Sequence, residues 1–253
     1  MGFVKFLGTA GARFVMIRQT RSSGGVWINY GSTNIIIDPG PGAIVRCNKS
    51  RPKLDPTRLD GIIITHKHLD HSGDINVMVE AMTEGGFCKR GALFAPSDAF
   101  GQNGVIYSYL MDHPERIERI KPGDFDVGGI RFSVVMRNQH SVETYGVKFF
   151  LGTQIISFVS DTKYFDGLIE AYADSTVLVL NVVFTEPKKE YEHLSLPEAL
   201  DIIKKIRPPV AILTHFGMGM LKAGLHKLEK RAREELKMDI RFAYDGMSLE
   251  FDS

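Results

Sequence analysis

Short apolar runs separated by glycine-rich breaks punctuate the first half of the chain: VKFL at residues 4–7, VWINY at 26–30, TNIIID at 33–38 and GIIIT at 61–65. Runs of this length, rich in β-branched and aromatic side chains, predict strands. Only Gly31 and Ser32 separate the second run from the third, a connection that suits a tight hairpin. Segment 46–58 is polar and basic and holds two prolines, which predicts an exposed loop. Beyond residue 65 the period changes. A polar turn, HKHLDHSG, leads into DINVMVEAM, where Ile75, Met78, Val79 and Met82 recur at helical spacing, so the order there is strand, loop and a helix beginning near Ser72.

Between residues 91 and 160 the strand pattern returns in ALFA, IRFSVVM, GVKFFL and QIISFV, the last two joined by Gly152 and Thr153. A second mixed stretch follows: LIEAYA, TVLVLNVVF, SLPEALDIIKKI with Pro197 at a helix start, and VAILTH. Residues 221–237 predict one charged helix, and IRFAYDGMSLEF predicts two closing strands around Asp245 and Gly246. Strand-rich segments with helices thus occur twice, with no linker composition between them. This predicts an α/β fold, a four-layer αββα sandwich forming a single domain over residues 1–253. Met78, Met82, Phe149 and Phe150 are assigned to its core.

Composition narrows the function classes. A hydrophobic share of 43% and a charged share of 24% describe an ordinary packed chain and exclude disorder and low complexity. Lys plus Arg number 31 and Asp plus Glu 30, so a net charge of +1 offers no global field for a polyanion, and phosphate recognition must be local. With only Cys47 and Cys88 and no run long enough to span a membrane, the expectation is a soluble, cytoplasmic protein with both cysteines structural.

Three of the eight histidines, His66, His68 and His71, stand within six residues beside Asp70. Imidazole and carboxylate are the donors that hold Zn²⁺ and similar divalent ions, and a loop leaving a strand can turn alternate residues onto one point. Such density outweighs a solvated turn. The helix that follows would present its positive end to an anion at such a centre. His113 and His226 stand alone and are read as ordinary surface or core residues.

The segment THKHLDHSG resembles the H-x-H-x-D-H signature of the metallo-β-lactamase superfamily. The remaining expected positions occur in order, each at a strand end: His140 in NQHSVETYG, Asp161 in SDT and His215 in LTHFG. The resemblance implies one metal site of His66, His68 and His140, a second of Asp70, His71 and His215, and Asp161 bridging them. It further implies two divalent ions as cofactors, Zn²⁺ by donor type with Mn²⁺ or Fe²⁺ as alternatives, and hydrolysis as the chemistry. Asp38, closing TNIIID, is assigned to support the metal loop from behind.

FLGTAGA, HSVETYG and SDT look most like the branch containing ribonuclease Z and the cyclic-phosphate phosphodiesterases. In that branch a histidine about twenty residues before the last metal histidine donates a proton to the leaving group. His193 in EHLS stands twenty-two residues before His215 and is the candidate, with Asp70 orienting the attacking water. Three departures from ribonuclease Z matter. His140 and Asp161 stand only twenty-one positions apart, which leaves no room for the tRNA-gripping arm. Asn181 stands near the place of a glutamate expected to orient the donor histidine. No basic residue follows His215 closely, Lys222 being the nearest.

These departures favour a metal-dependent phosphodiesterase acting on a small phosphodiester or nucleotide. Kept beside it are a tRNA 3′-end endonuclease lacking the arm and a lactone or ester hydrolase or cofactor-biosynthesis relative of the same fold. Expected partners are the small substrate, with RNA less favoured, no membrane, and a second copy of the chain in a homodimer. Segments 10–24, 97–121 and 216–224 are the loops expected to set the substrate.

Overall fold

The computed structural model of the protein describes residues 2–251. Strands β1 (Gly2–Phe6), β2 (Val26–Tyr30) and β3 (Thr33–Ile37) run as an antiparallel meander, extended in parallel by β4 (Gly61–Ile63), β5 (Ala92–Ala95) and β6 (Arg116–Arg119). The final strand, β15 (Ser248–Phe251), closes the other edge against β1 to give a seven-stranded sheet. An eight-stranded sheet repeats the plan. There β7 (Gly123–Val127), β8 (Ile130–Arg137), β9 (Tyr145–Leu151) and β10 (Gln154–Phe158) are antiparallel neighbours, followed in parallel by β11 (Val177–Phe184), β13 (Val210–Thr214) and β14 (Ile240–Phe242). The two-residue β12 (Leu194–Ser195) adds to β11 from the side.

The helices are α1 (Ala12–Arg18), α2 (Ala43–Lys49), α3 (Leu69–Ser72), α4 (Ile75–Met82), α5 (Gly167–Ala171), α6 (Leu196–Ile206), α7 (Met218–Ala223) and α8 (Leu225–Leu236). Three buried clusters separate four layers. One, with Phe6, Ile28, Phe132 and Phe149, fills the space between the sheets. A second packs Trp27 and Ile62 of the first sheet against Cys47 of α2 and Met78 and Met82 of α4. The third packs Leu178 and Leu213 of the second sheet against Ile202 of α6 and Ala232 of α8. Alternating inward residues on each strand feed the inner cluster and an outer one by turns, which is why so many strands are apolar on both faces. Each fully buried Phe, Ile or Leu contributes roughly 1.5–3 kcal/mol. Helix α6 is fixed at its start by a capping box, with Ser195 and Glu198 satisfying each other's free groups, worth about 1 kcal/mol. The αββα expectation holds.

Several local expectations do not. The exposed loop expected over 46–58 begins as helix α2, because Ala43 and Cys47, four residues apart, bury one stripe while the basic residues coat the other. Burial pushes the Cys47 thiol up to about 12, whereas Cys88 is exposed and carries no packing role. The helix expected near Ser72 forms as α4 but begins three residues later, at Ile75, with Met78, Val79 and Met82 buried as their spacing predicts, and a separate single turn, α3, precedes it inside the metal-ligand turn. The continuous helix over 221–237 is divided at Gly224, whose φ of 86° breaks it into α7 and α8. The two closing strands do form, but β14 and β15 belong to different sheets, and the turn at Asp245 crosses between them. Strands β6 and β7 were missed because they are short and polar, as strands near a sheet edge are. Phe149 is core, but Phe150 faces outward beneath the Arg131 guanidinium.

Candidate metal centre

All the side chains singled out for metal binding leave the carboxyl ends of strands at one edge of the sandwich. His66, His68, Asp70 and His71 follow β4; His140 follows β8, Asp161 follows β10 and His215 follows β13. They converge in groups whose donor atoms lie within 4.8 Å of one another: His66 with His68 and His140, His66 with His71 and Asp161, and Asp70 with His71 and His215. Asp161 stands between the first and last of these. Its Oδ2 lies 3.6 Å from His66 Nε2 and 3.4 Å from His71 Nε2, and its Oδ1 lies 3.4 Å from His215 Nδ1. Asp70 Oδ2 is 3.3 Å from His215 Nε2.

Hydrogen bonds behind the cluster decide which ring atoms face inward. Thr65 donates its backbone N–H and its hydroxyl to the Asp38 carboxylate, at 2.7 and 2.8 Å. Having given its one proton to Asp38, the Thr65 hydroxyl can only accept from His66 Nδ1, at 3.1 Å, which leaves His66 Nε2 with a free lone pair. The same Asp38 carboxylate accepts from His71 Nδ1 at 2.9 Å, which turns His71 Nε2 toward the cluster. His140 donates from Nδ1 to the Glu192 carbonyl at 2.9 Å and turns Nε2 toward His68 Nδ1, 3.1 Å away. Asn181 donates to Asp161 Oδ1 at 2.8 Å, while Asn138 holds the Asp161 carbonyl at 3.0 Å.

Ring nitrogens facing one another are unfavourable without something positive between them, a proton or a cation. His71 Nε2 and His215 Nε2 approach to 2.9 Å, and the buried His66 Nε2, His193 Nδ1 and His215 Nδ1 have no hydrogen-bond partner. That donor set fits divalent cations, whose charge would meet these lone pairs and the two carboxylates. The carboxylates show the same demand for positive charge. Burial alone would pull His71 down, yet the Asp161, Asp38 and Asp70 carboxylates outweigh it and hold the ring well above its usual value. Burial pushes the Asp70 carboxyl up, and His71 and His215 overcome it, keeping the group well below the usual carboxylate range. Asp161 behaves likewise under His215, His193 and His71. His66, with no compensating bond at Nε2, is driven well below its usual value by burial.

Three residues here adopt left-handed backbone without being glycine: Asp38 at φ 51°, Ser160 at 61° and His215 at 60°. Each follows a strand and turns its side chain back toward the cluster, strain of the kind that accumulates at functional sites. Gly11 is required beside one of them, since a Cβ there would stand 1.9 Å from the His215 carbonyl oxygen.

His193 lies against this cluster. Its Nδ1 is 3.5 Å from Asp161 Oδ2, and its ring packs edge-on to His140 with centroids 5.0 Å apart. Burial lowers it to about 4. Asn181 serves Asp161 rather than His193, so the relay sought in the sequence takes another form. Thr65, Ser160, Asn138 and the Glu192 carbonyl were missed; Ser160 donates to the Thr65 hydroxyl at 2.7 Å and completes the chain from Asp38 to His66. No motif marks such residues beyond their place next to a ligand. Lys222 sits in the last turn of α7, and among the described residues neither His113 nor His226 joins a donor group. The expected substrate loops are partly ordered elements, 10–24 holding α1, 97–121 holding β6 and 216–224 holding α7.

Residues 33–216 match the family described as the beta-lactamase superfamily domain. The chain belongs to that family. An uncharacterized protein of Methanocaldococcus jannaschii is 31% identical over 225 residues, covering 85% of this chain and 83% of that protein. Ribonuclease Z of Borrelia garinii is 24% identical across 99% of this chain and 97% of its own, in an alignment of 315 positions that exceeds the 253 residues here. Among solved structures, a diphosphatase of the PhnP family superposes with a TM-score of 0.75 at 20% identity, covering 100% of this chain and 98% of the other, and shares the fold. The family is one of metal-dependent hydrolases, and the clustered His and Asp side chains suit the divalent ions it implies. Among the described residues no helix is long and apolar enough to cross a membrane.

Proposed function

We propose that the protein is a two-metal phosphodiesterase acting on a small phosphodiester or nucleotide. The observation that carries this reading is the placement of Asp161 within 3.6 Å of His66 and 3.4 Å of both His71 and His215, one carboxylate addressing two adjacent donor groups. His66, His68 and His140 would hold one ion, Asp70, His71 and His215 the other, and Zn²⁺ suits five imidazoles and two carboxylates. Bound there, two divalent ions supply Lewis acidity and a nucleophile at neutral pH.

The chain's own groups do the rest. Asp70 orients the attacking water by accepting a hydrogen bond from it. Asp38, through Thr65 and His71, keeps the rings from rotating. His193 donates a proton to the departing oxygen from Nε2, since its Nδ1 is buried against Asp161. Burial lowers the His193 ring from its usual value, and the negative charge of a phosphodiester beside Nε2 would raise its basicity.

A small substrate is favoured over pre-tRNA by the short passage between His140 and Asp161, which holds only the β9–β10 hairpin, and by the surplus of positions in the ribonuclease Z alignment. Two unpaired cysteines accord with a reducing cytoplasm. The test is a panel of an aryl phosphodiester, a cyclic nucleotide, a pre-tRNA and a lactone with metal-loaded protein. Turnover of the small phosphodiesters above the rest is the expected result. Pre-tRNA cleavage at physiological salt that matches or exceeds them overturns the preference, and lactone turnover alone overturns the reading.

A further inference from the structure

Away from the metal-ligand cluster, a cavity of about 250 Å³ is bounded by β1, the end of α2 and the turn after β14. Its walls carry Lys5, Arg46, Lys49 and Arg51 against a single carboxylate, Asp245. That carboxylate is already committed: Oδ1 accepts from the Thr9 N–H and hydroxyl at 3.0 and 2.7 Å, Oδ2 from the Ser22 N–H at 2.8 Å, and Arg46 reaches it only at 3.9 Å. Among the described residues Lys5, Lys49 and Arg51 form no ion pair within 4.0 Å.

Two buried groups show that more than surface charge is involved. Lys5 is 5% exposed, and its ammonium donates to the Arg51 carbonyl and the Ser248 hydroxyl, both at 3.0 Å, which leaves a third proton without a protein acceptor. Ser50, 8% exposed, borders the same cavity, and its hydroxyl is buried with no hydrogen-bond partner. Burying an ammonium without a counter-charge and a hydroxyl without a partner is unfavourable unless something completes them. Compensation of the α2 carboxyl end accounts for Arg46 and Lys49 in its last turn, but not for Lys5, which comes from a strand, nor for Ser50.

We propose that this cavity is a binding site for a small phosphate-bearing anion, held by Lys5 and Ser50 at its floor and by Lys49 and Arg51 at its rim. A terminal phosphate carries up to two negative charges and has three free oxygens to reach buried donors. An internal diester of a polymer, flanked by chain on both sides, reaches a recessed ammonium poorly. The site is independent of the metal reading.

Calorimetric titration of the whole protein with inorganic phosphate tests it, run on the parent, Lys49→Glu, Ser50→Ala, Asp161→Ala and His68→Ala. One class of phosphate binding should persist in Asp161→Ala and His68→Ala, where the metal centre is disrupted, and weaken about tenfold or more in Lys49→Glu. Ser50→Ala should weaken it roughly threefold to tenfold with an unchanged Tm, because its hydroxyl has no bond within the protein to lose. Absence of any phosphate binding in Asp161→Ala and His68→Ala overturns the proposal, as does unaltered affinity in Lys49→Glu. So does equal or tighter binding of a short RNA with hydroxyls at both ends.

Discussion

Four of the seven clustered donors leave the seven-stranded sheet within six residues of each other after β4, while the other three leave the eight-stranded sheet singly, after β8, β10 and β13. The two halves share a strand plan, an antiparallel set continued by parallel strands, but brace their donors differently. In the first half one carboxylate, Asp38, serves Thr65 and His71 directly and His66 through Thr65. In the second, each donor has its own support: the Glu192 carbonyl for His140, Asn181 for Asp161, and the close backbone passage at Gly11 for His215. A dense ligand turn can be braced by one shared network, whereas scattered ligands depend on strand register and on separate partners.

The largest effects should come from residues that join the halves. Asp161→Ala removes a carboxylate that addresses both donor groups and should lower phosphodiesterase turnover by ~10³-fold or more while reducing retention of both ions. His68→Ala should instead lose one ion preferentially, and metal analysis beside kinetics separates the two outcomes. Equal losses from both variants would break the distinction drawn here.

His193→Ala comes next, with intact metal content and a loss of about 10² to 10⁴-fold on alkyl or ribose esters. An aryl ester, whose phenol leaves without a proton, should be hydrolysed nearly as fast as by the parent. Similar losses on both substrates would make His193 a positioning residue.

The bracing can be compared directly. Asp38→Ala leaves the Thr65 N–H, the Thr65 hydroxyl and His71 Nδ1 without an acceptor, so metal affinity should fall about 100-fold and stability by about 1–3 kcal/mol. Asn181→Leu removes one bond to one ligand and should cost about tenfold in affinity, with little change in Tm. If Asn181→Leu proves as damaging as Asp38→Ala, the contrast between shared and separate bracing is wrong.

The same contrast governs what could be read from the chain alone. Residues 66–71 stand out by density, and the αββα order follows from strand runs that are apolar on both faces. His140, Asp161 and His215 were reachable only because each follows a strand in the order the family resemblance requires. Thr65 escaped assignment and Asn181 was set beside His193 rather than Asp161, because their roles depend on which atoms three strands bring together, and one polar residue at a strand end has many other uses. Helix α2 escaped because its buried stripe is only Ala43 and Cys47, set among conspicuous charges. The separation of β14 from β15 escaped because Asp-Gly predicts a hairpin locally, while here the Asp245 carboxylate is spent on the loop around Thr9 and Ser22.

The central claim is that two adjacent donor groups share Asp161. Elemental analysis of undialysed protein, followed by refilling of stripped protein with Zn²⁺, addresses it most directly. The account predicts two ions per chain in the parent and about one in His68→Ala. Saturation of the parent at a single ion, or trace metal with no uptake on addition, would contradict it.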